Sequence, residues 1–158
     1  MKKIMIVLIA LLAIGVSISA VSAEGFSFSF GSESNSDGGD ISVENNQLKL
    51  QGVELKIPEG FKENESGRML GNDTTAFGET CKESATEFYN STCNIIVKVF
   101  YIDGGNFKNV TGENPKTIAG KEGFLTEKDN RTLFDYVVDG KIVEIDAPHQ
   151  ADIESILK

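Results

Sequence analysis

The stretch "TLFDYVVDGKIVEID", Thr132–Asp146, decides how this chain folds. Thr132–Val138 reads as a strand, Asp139-Gly140 as a two-residue turn, and Lys141–Asp146 as the returning strand. Asp-Gly between apolar runs predicts a tight hairpin, because both central residues tolerate the positive φ such a turn demands. A two-residue turn also fixes register. Asp135 and Glu144 are therefore expected to face each other across the hairpin, where two carboxyls could act as acid and base or stand solvated.

Working outward, "NIIVKVFYI", Asn94–Ile102, carries β-branched and aromatic residues on both faces. That pattern suits a central strand. Between the two lie Thr117–Ala119 running into Gly120, a strand over Gly123–Thr126 and a turn at Asp129-Asn130. Upstream, "QLKLQGVELKIPEGF" sets Leu48 and Leu50 on one parity and Val53, Leu55 and Ile57 on the other. The parity change marks Gly52 as a bulge or a tight turn between two strands. Residues 62–80 are polar and turn-rich and read as loop with at most one short strand. Downstream, Pro148 fits the first turn of a closing helix. Ile153, Ile156 and Leu157 share one face of it. The expectation is an α+β domain over residues 46–158: a mostly antiparallel sheet of five or six strands, packed on one face by a C-terminal helix.

The chain begins MKKIMIVLIALLAIGVSISAVSAEG. Two lysines, an apolar run from Ile4 to about Val21, and small residues at Val21 and Ala23 form a secretory signal over residues 1–23. The competing reading is an uncleaved anchor, since the run nearly spans a bilayer. Either way the domain is expected outside the cell, secreted or at the cell surface. Residues 24–45 alternate Phe26, Phe28 and Phe30 with small polar residues and then turn to Gly, Ser and Asp. The Phe triplet reads as an edge strand or a sticky tail, and Gly31–Asp40 as a flexible linker.

The formal charge is −9, and loss of the signal with Lys2 and Lys3 takes it to −11. With no basic stripe, nucleic acid is an unsuitable partner. Cys81 and Cys93 are the only cysteines. In an oxidising compartment such a pair is expected to form a disulfide, which requires the segment between them to fold back. No zinc site is expected, because Cys81, Cys93 and the lone His149 supply at most three ligands. His149 beside Pro148 suits a helix cap better than a triad.

Five Asn-x-Ser/Thr sequons occur, at Asn64, Asn72, Asn90, Asn109 and Asn130, where the composition predicts about 1.5 by chance. All five fall in segments read as loops or turns, and glycosylation is expected at two or more, with Asn90 and Asn130 favoured. Glu33, Asn35, Asp37 and Glu44 fall at positions 1, 3, 5 and 12 of a calcium-loop pattern, but neither flank reads as helix, so a solvated linker is the stronger reading. No GxSxG, HExxH, P-loop or GxGxxG is present. No catalytic residue and no cofactor is assigned. Tyr89, Phe100, Tyr101, Phe124, Phe134 and Tyr136 could line an apolar pocket; core is the more usual fate of such residues.

The signal, "FSFSFG", "GVELKIPEGF", "KTIAGKEGF" and "FDYVVDGKIVEIDAP" followed by "IESIL" together resemble a set of small secreted proteins from methanogenic archaea. The resemblance implies an exported domain and no activity. More loosely, the strand–hairpin–helix order is similar to extracytoplasmic domains of the photosystem PsbP type, an analogy of fold that assigns no function. The expected role is non-catalytic: cell-surface binding or envelope interaction, with a carrier holding a small apolar ligand or lipid between sheet and helix as the alternative. A hydrolase would instead need two acids converging in a cleft with raised pKa values.

Overall fold

The computed structural model describes residues 41–158. The signal, the Phe triplet, the linker, and Glu33, Asn35 and Asp37 of the calcium pattern lie outside the described residues. Glu44, the fourth member, is an exposed residue of the first strand.

Among the described residues eleven strands form two antiparallel sheets. The small sheet is β1 (Ser42–Glu44), β2 (Gln47–Leu50) and β3 (Val53–Lys56), in that order. The large sheet holds β4 (Lys62–Glu63), β5 (Met69–Ala76), β6 (Glu79–Tyr89), β7 (Asn94–Tyr101), β8 (Pro115–Ile118), β9 (Lys121–Lys128), β10 (Arg131–Val138) and β11 (Lys141–Ala147). Its order is β4-β6-β7-β11-β10-β9-β8, with β5 also paired to β6. The α-helix α1 (Gln150–Leu157) closes the chain, and a single 3-10 turn lies at Glu65–Gly67.

This corrects the expected α+β class. Among the described residues strands take 57% and helices 9%, so the fold is mostly β. Two sequence regions account for most of the extra strands. Segment 62–80, read as loop, supplies β4 and β5. Segment 81–93, expected to fold back, instead runs straight as most of the eleven-residue β6. The small sheet also starts at Ser42, ahead of the expected Asn46.

Short turns drive this architecture. Asn45-Asn46, Gln51-Gly52, Phe77-Gly78, Ala119-Gly120, Asp129-Asn130 and Asp139-Gly140 all have positive φ at both residues. Each joins neighbouring antiparallel strands by two residues, the arrangement whose twist matches that of the strands. Gly52 is thus the second residue of a turn, and Leu48 pairs with Leu55 and Leu50 with Val53 on one face.

The inner face of the large sheet packs against the small sheet and α1. Leu48, Leu50, Phe88, Ile95, Val97, Val99, Phe134, Tyr136, Val143, Ile145 and Ile153 are all no more than 1% exposed. Phe134 and Tyr136 stack with centroids 5.6 Å apart. Full burial of side chains like these stabilises by about 1.5–3 kcal/mol each. Ser84 and Thr86 set buried hydroxyls into the apolar surface, and both are satisfied. Ser84 Oγ accepts from Gln51 Nε2 and from the Gly71 amide, each at 2.9 Å, and Thr86 Oγ1 donates to Glu63 at 2.8 Å.

The outer face is covered differently. After β7 the chain must reach β8, at the far edge of the sheet. It does so through the connection 102–114, whose Phe107 and Val110 bury against Phe100, Ile142 and Cys81 in a second, smaller core. The Phe107 amide donates to Gly140 O at 2.8 Å, and the Leu125 amide to Asn114 O at 2.9 Å, which pin the connection at both ends. Gly112 lies so close to Phe124 that a Cβ there would sit 2.7 Å from its side chain.

Gly123 tests the inner packing. A Cβ there would lie 2.2 Å from the Asp135 carbonyl oxygen and 2.9 Å from the Phe134 ring. The neighbour is backbone and cannot swing aside, so Gly123→Ala is expected to cost about 3 kcal/mol or more. Urea denaturation checks this; a loss under about 1 kcal/mol would mean the β9–β10 contact is looser than described.

Candidate functional site

One row of side chains crosses the outer face. Register pairs Phe124 of β9 with Asp135 of β10, Asp135 with Glu144 of β11, Glu144 with Lys98 of β7, and Lys98 with Ala85 of β6. The hairpin thus brings Asp135 and Glu144 together as its turn chemistry requires. The sheet then adds a lysine that no local reading could place. Lys98 Nζ lies 2.7 Å from Glu144 Oε1.

The electrostatics arise from two acids sharing one base. Burial first, and the facing Glu144 carboxylate second, push the Asp135 carboxyl up to about 7 against the opposing pull of Lys98. Burial works to lower the Lys98 ammonium, but its hydrogen bond and charge attraction to Glu144 outweigh that and raise it. Asp135 Oδ1 is sealed from solvent and has no hydrogen-bond partner.

A second polar cluster lies beside this row. Arg131 donates to Asp146 and to Asn94, Asn94 donates to Glu87 at 2.6 Å, and Asn64 donates to the other Glu87 oxygen at 2.9 Å. Hydrogen bonds from Asn94 and Asn64 hold the Glu87 carboxyl below its usual range. These contacts tie β10, β11, β7 and β6 across one end of the sheet.

At Phe124 the row runs into an open cleft of about 730 Å³. Phe124, Val110 and Val137 supply its apolar surface, and Lys108, Lys116, Lys121 and Glu122 border it, with Lys116 and Lys121 on strand positions of opposite parity to Phe124 and Lys121 bordering the second cleft as well. Sequence reading missed these lysines. The available signal was slight: residues 104–121 hold three lysines and one acid in a chain of net charge −9. A second cleft of about 580 Å³ opens where β3 and the end of α1 meet β10, and polar side chains including Glu54, Lys56, Asp139 and Lys158 line it.

The other expected site residues are scattered. Cys81 is buried and Cys93 half-buried, both as free thiols. The expected disulfide is corrected here for a geometric reason. Strand β6 runs from beside Cys81 to Tyr89, so the thiols lie at opposite ends of roughly 26 Å of extended chain. A bridge needs α-carbons within about 7 Å. Burial pushes the Cys81 thiol up, which suits an inert core residue.

Of the sequons, Asn109 and Asn130 are exposed in a connection and a turn. Asn90 is half-buried in the β6–β7 turn, its Oδ1 accepting from Thr92 and Cys93. Asn64 is half-buried and engaged with Glu87. Asn72 corrects the reading that all five lie in loops, because it is an exposed residue of β5. His149 stands at the N-cap of α1, its amide donating to Asp152 at 3.2 Å.

The six aromatics do not converge. Phe134 and Tyr136 belong to the inner core and Phe100 to the outer one. Tyr89 is exposed, Tyr101 is half-buried, and Phe124 lines the open cleft.

The buried acid pair makes stability depend on pH. Asp135 holds its proton more tightly on folding, so the folded state binds more protons than the unfolded one between its ordinary value of 3.8 and about 7. Stability should fall as pH rises through that window and level off above it, by at most about 4 kcal/mol. Asp135→Asn should match the parent at pH 4 and exceed it at pH 8 in chemical denaturation; equal stabilities at pH 8 would refute the buried-pair account. For the thiols, intact-mass measurement after alkylation should show Cys93 labelled in the native protein and Cys81 only after unfolding, with no loss of two hydrogens to a bridge.

No family model matches the chain, and no curated protein or solved structure matches it.

Proposed function

We propose that this is an exported, non-catalytic binding domain that meets a component of the cell envelope with the outer face of its large sheet. The observation that carries this reading is the unequal cover of the two faces. The inner face is sealed by the small sheet and α1, whereas the outer face receives one connection. That leaves Ile96, Leu133, Lys98, Glu83 and Phe124 half-exposed, with Asn72 and Thr126 exposed. A broad, rigid, partly apolar face with charged groups set into it is suited to surface recognition.

Two observations weigh against the other roles. A carrier needs space between sheet and helix, but the core side chains there, including Leu55, Ile153 and Ile156, are all buried, and the cleft at that seam is polar. A carboxylate hydrolase needs acids within reach of a substrate. Asp135 and Glu144 converge and Asp135 is raised, yet its orphan oxygen is sealed inside the sheet face.

The test is sedimentation with purified envelopes from the native source. Asn72→Arg combined with Thr126→Arg adds bulk and two positive charges to exposed outer-face positions. Glu54→Arg makes the same charge change on the exposed side of β3. The outer-face pair should reduce bound protein about tenfold, and Glu54→Arg should leave it unchanged. Equal binding by both variants would move the contact to another surface.

A further inference from the structure

The acid row on the outer face holds a lysine in a position to do more than neutralise charge. Among the described residues, three lysines pair with carboxylates. Lys82 pairs with Asp103 and Lys158 with Glu154, but those acid side chains are 67% and 38% exposed. The Glu144 side chain is 12% exposed, and Lys98 Nζ stands 2.7 Å from its Oε1. The carboxyl carbon is one bond of about 1.2 Å further on. It therefore lies at most about 4 Å from the nitrogen, close to an attack distance of about 3–3.5 Å. The ion pairs Arg68–Glu63 and Arg131–Asp146 use guanidinium groups, which stay protonated and do not act as nucleophiles. Glu144 also has a second acid on its other side, because Asp135 of β10 pairs with it in register.

Lys98 and Glu144 project from directly paired positions of β7 and β11, the central strands of the large sheet. Holding an amine and a carboxyl in this way replaces a bimolecular encounter by an internal one. Burial favours the product as well, since an amide removes two charges that the sheet face otherwise has to desolvate. Condensation of an ion pair also needs a proton carrier, and Asp135 is placed to be one. Its carboxyl keeps its proton up to about pH 7, and its Oδ1 is sealed without a hydrogen-bond partner. We infer that Lys98 and Glu144 condense into a side-chain amide that ties β7 to β11, with Asp135 carrying the proton. In this step Asp135 gives its proton to the Glu144 carboxylate and takes one from the Lys98 ammonium. The freed nitrogen attacks Glu144 Cδ, an N–Cδ bond forms, and the Cδ–O bond to the protonated oxygen breaks. That oxygen takes a second proton from the nitrogen and leaves as water, and Asp135 ends protonated as it began. No oxidant or cofactor enters. The reaction occurs once, within the chain, so it does not depend on what the outer face binds. Cys81 and Cys93 are free thiols, and the amide is the covalent tie that they do not make.

Intact mass tests this, on protein from the native source and on recombinant protein held folded near neutral pH for several days. The expected mass is one water below that of the sequence present, and the deficit should survive unfolding. Peptide mapping should find the Lys98 peptide joined to the Glu144 peptide. Lys98→Arg keeps a cation beside Glu144 and should retain the water. Asp135→Asn removes the proton carrier and should slow the loss about a hundredfold. Lys82→Ala breaks the exposed pair with Asp103 and should leave the loss unchanged. The denaturation comparison of Asp135→Asn with the parent applies to chains that retain the water, which the same mass measurement identifies. Retention of the water by the folded parent from both sources would overturn the inference without recourse to any variant. So would a lost water that maps to Asp103-Gly104 or Asp139-Gly140, because an Asp-Gly step can lose one by cyclising on its own backbone. An unchanged rate in Asp135→Asn would overturn the part given to Asp135.

Discussion

Everything in this structure answers to one constraint: the central strands β7 and β11 carry apolar side chains on both faces, and the chain has one well-built cover to give. Val97, Val99, Val143 and Ile145 face inward and are fully buried by the small sheet and α1. Phe100 and Ile142 face outward and are also buried, but only because the connection 102–114 lays Phe107 and Val110 over them. That connection is not an embellishment. The order β7-β11-β10-β9-β8 requires the chain to leave the middle of the sheet, reach its far edge and meander back. A crossing segment is therefore obligatory, and it becomes the second cover. Beyond its reach the outer face has to be polar or paired, which is where Lys98, Glu144, Asp135 and the Arg131 cluster lie.

How much of this the sequence discloses depends on the range of the interaction. The hairpin at Asp139-Gly140 is legible because two adjacent residues set its geometry and hence the Asp135–Glu144 pair. The turn at Asp129-Asn130 is legible for the same reason. Phe77-Gly78 uses the same positive-φ geometry with a first residue that gives no turn signal, which obscures β5. The fold class fails through a related weakness. The short C-terminal helix is readable while β1, β4, β5 and β6 are not, which tilts the expected balance away from β. The disulfide expectation fails because an oxidising compartment permits a bridge without bringing two thiols together. "CKESATEFYNSTC" contains Ala85, Phe88 and alternating polar residues, a pattern that serves a strand as well as a folded-back loop.

The candidate site divides along the same line. Lys98 joins Glu144 only because β7 pairs with β11, its neighbour in the sheet but distant in the chain, and that pairing is set by which strands can share two buried faces. The cleft beside Phe124 depends on the crossing connection as well, since Val110 lies on it while Pro115 and Phe124 lie on β8 and β9. Neither association has a local sequence signature. Residue types can be read from the chain, but here their convergence is a property of topology.

The row of charges on the outer face follows from the same topology. The Asp139-Gly140 turn fixes the register that sets Asp135 opposite Glu144, and the β7–β11 pairing sets Lys98 beside Glu144, 2.7 Å from its Oε1. One base serves two acids. Burial and the facing Glu144 carboxylate push the Asp135 carboxyl up to about 7, so ionising both acids leaves one buried negative charge without a partner. The pair is therefore a cost to stability above that pH, and the sheet carries it because a two-residue turn leaves the acids no other register in which to meet.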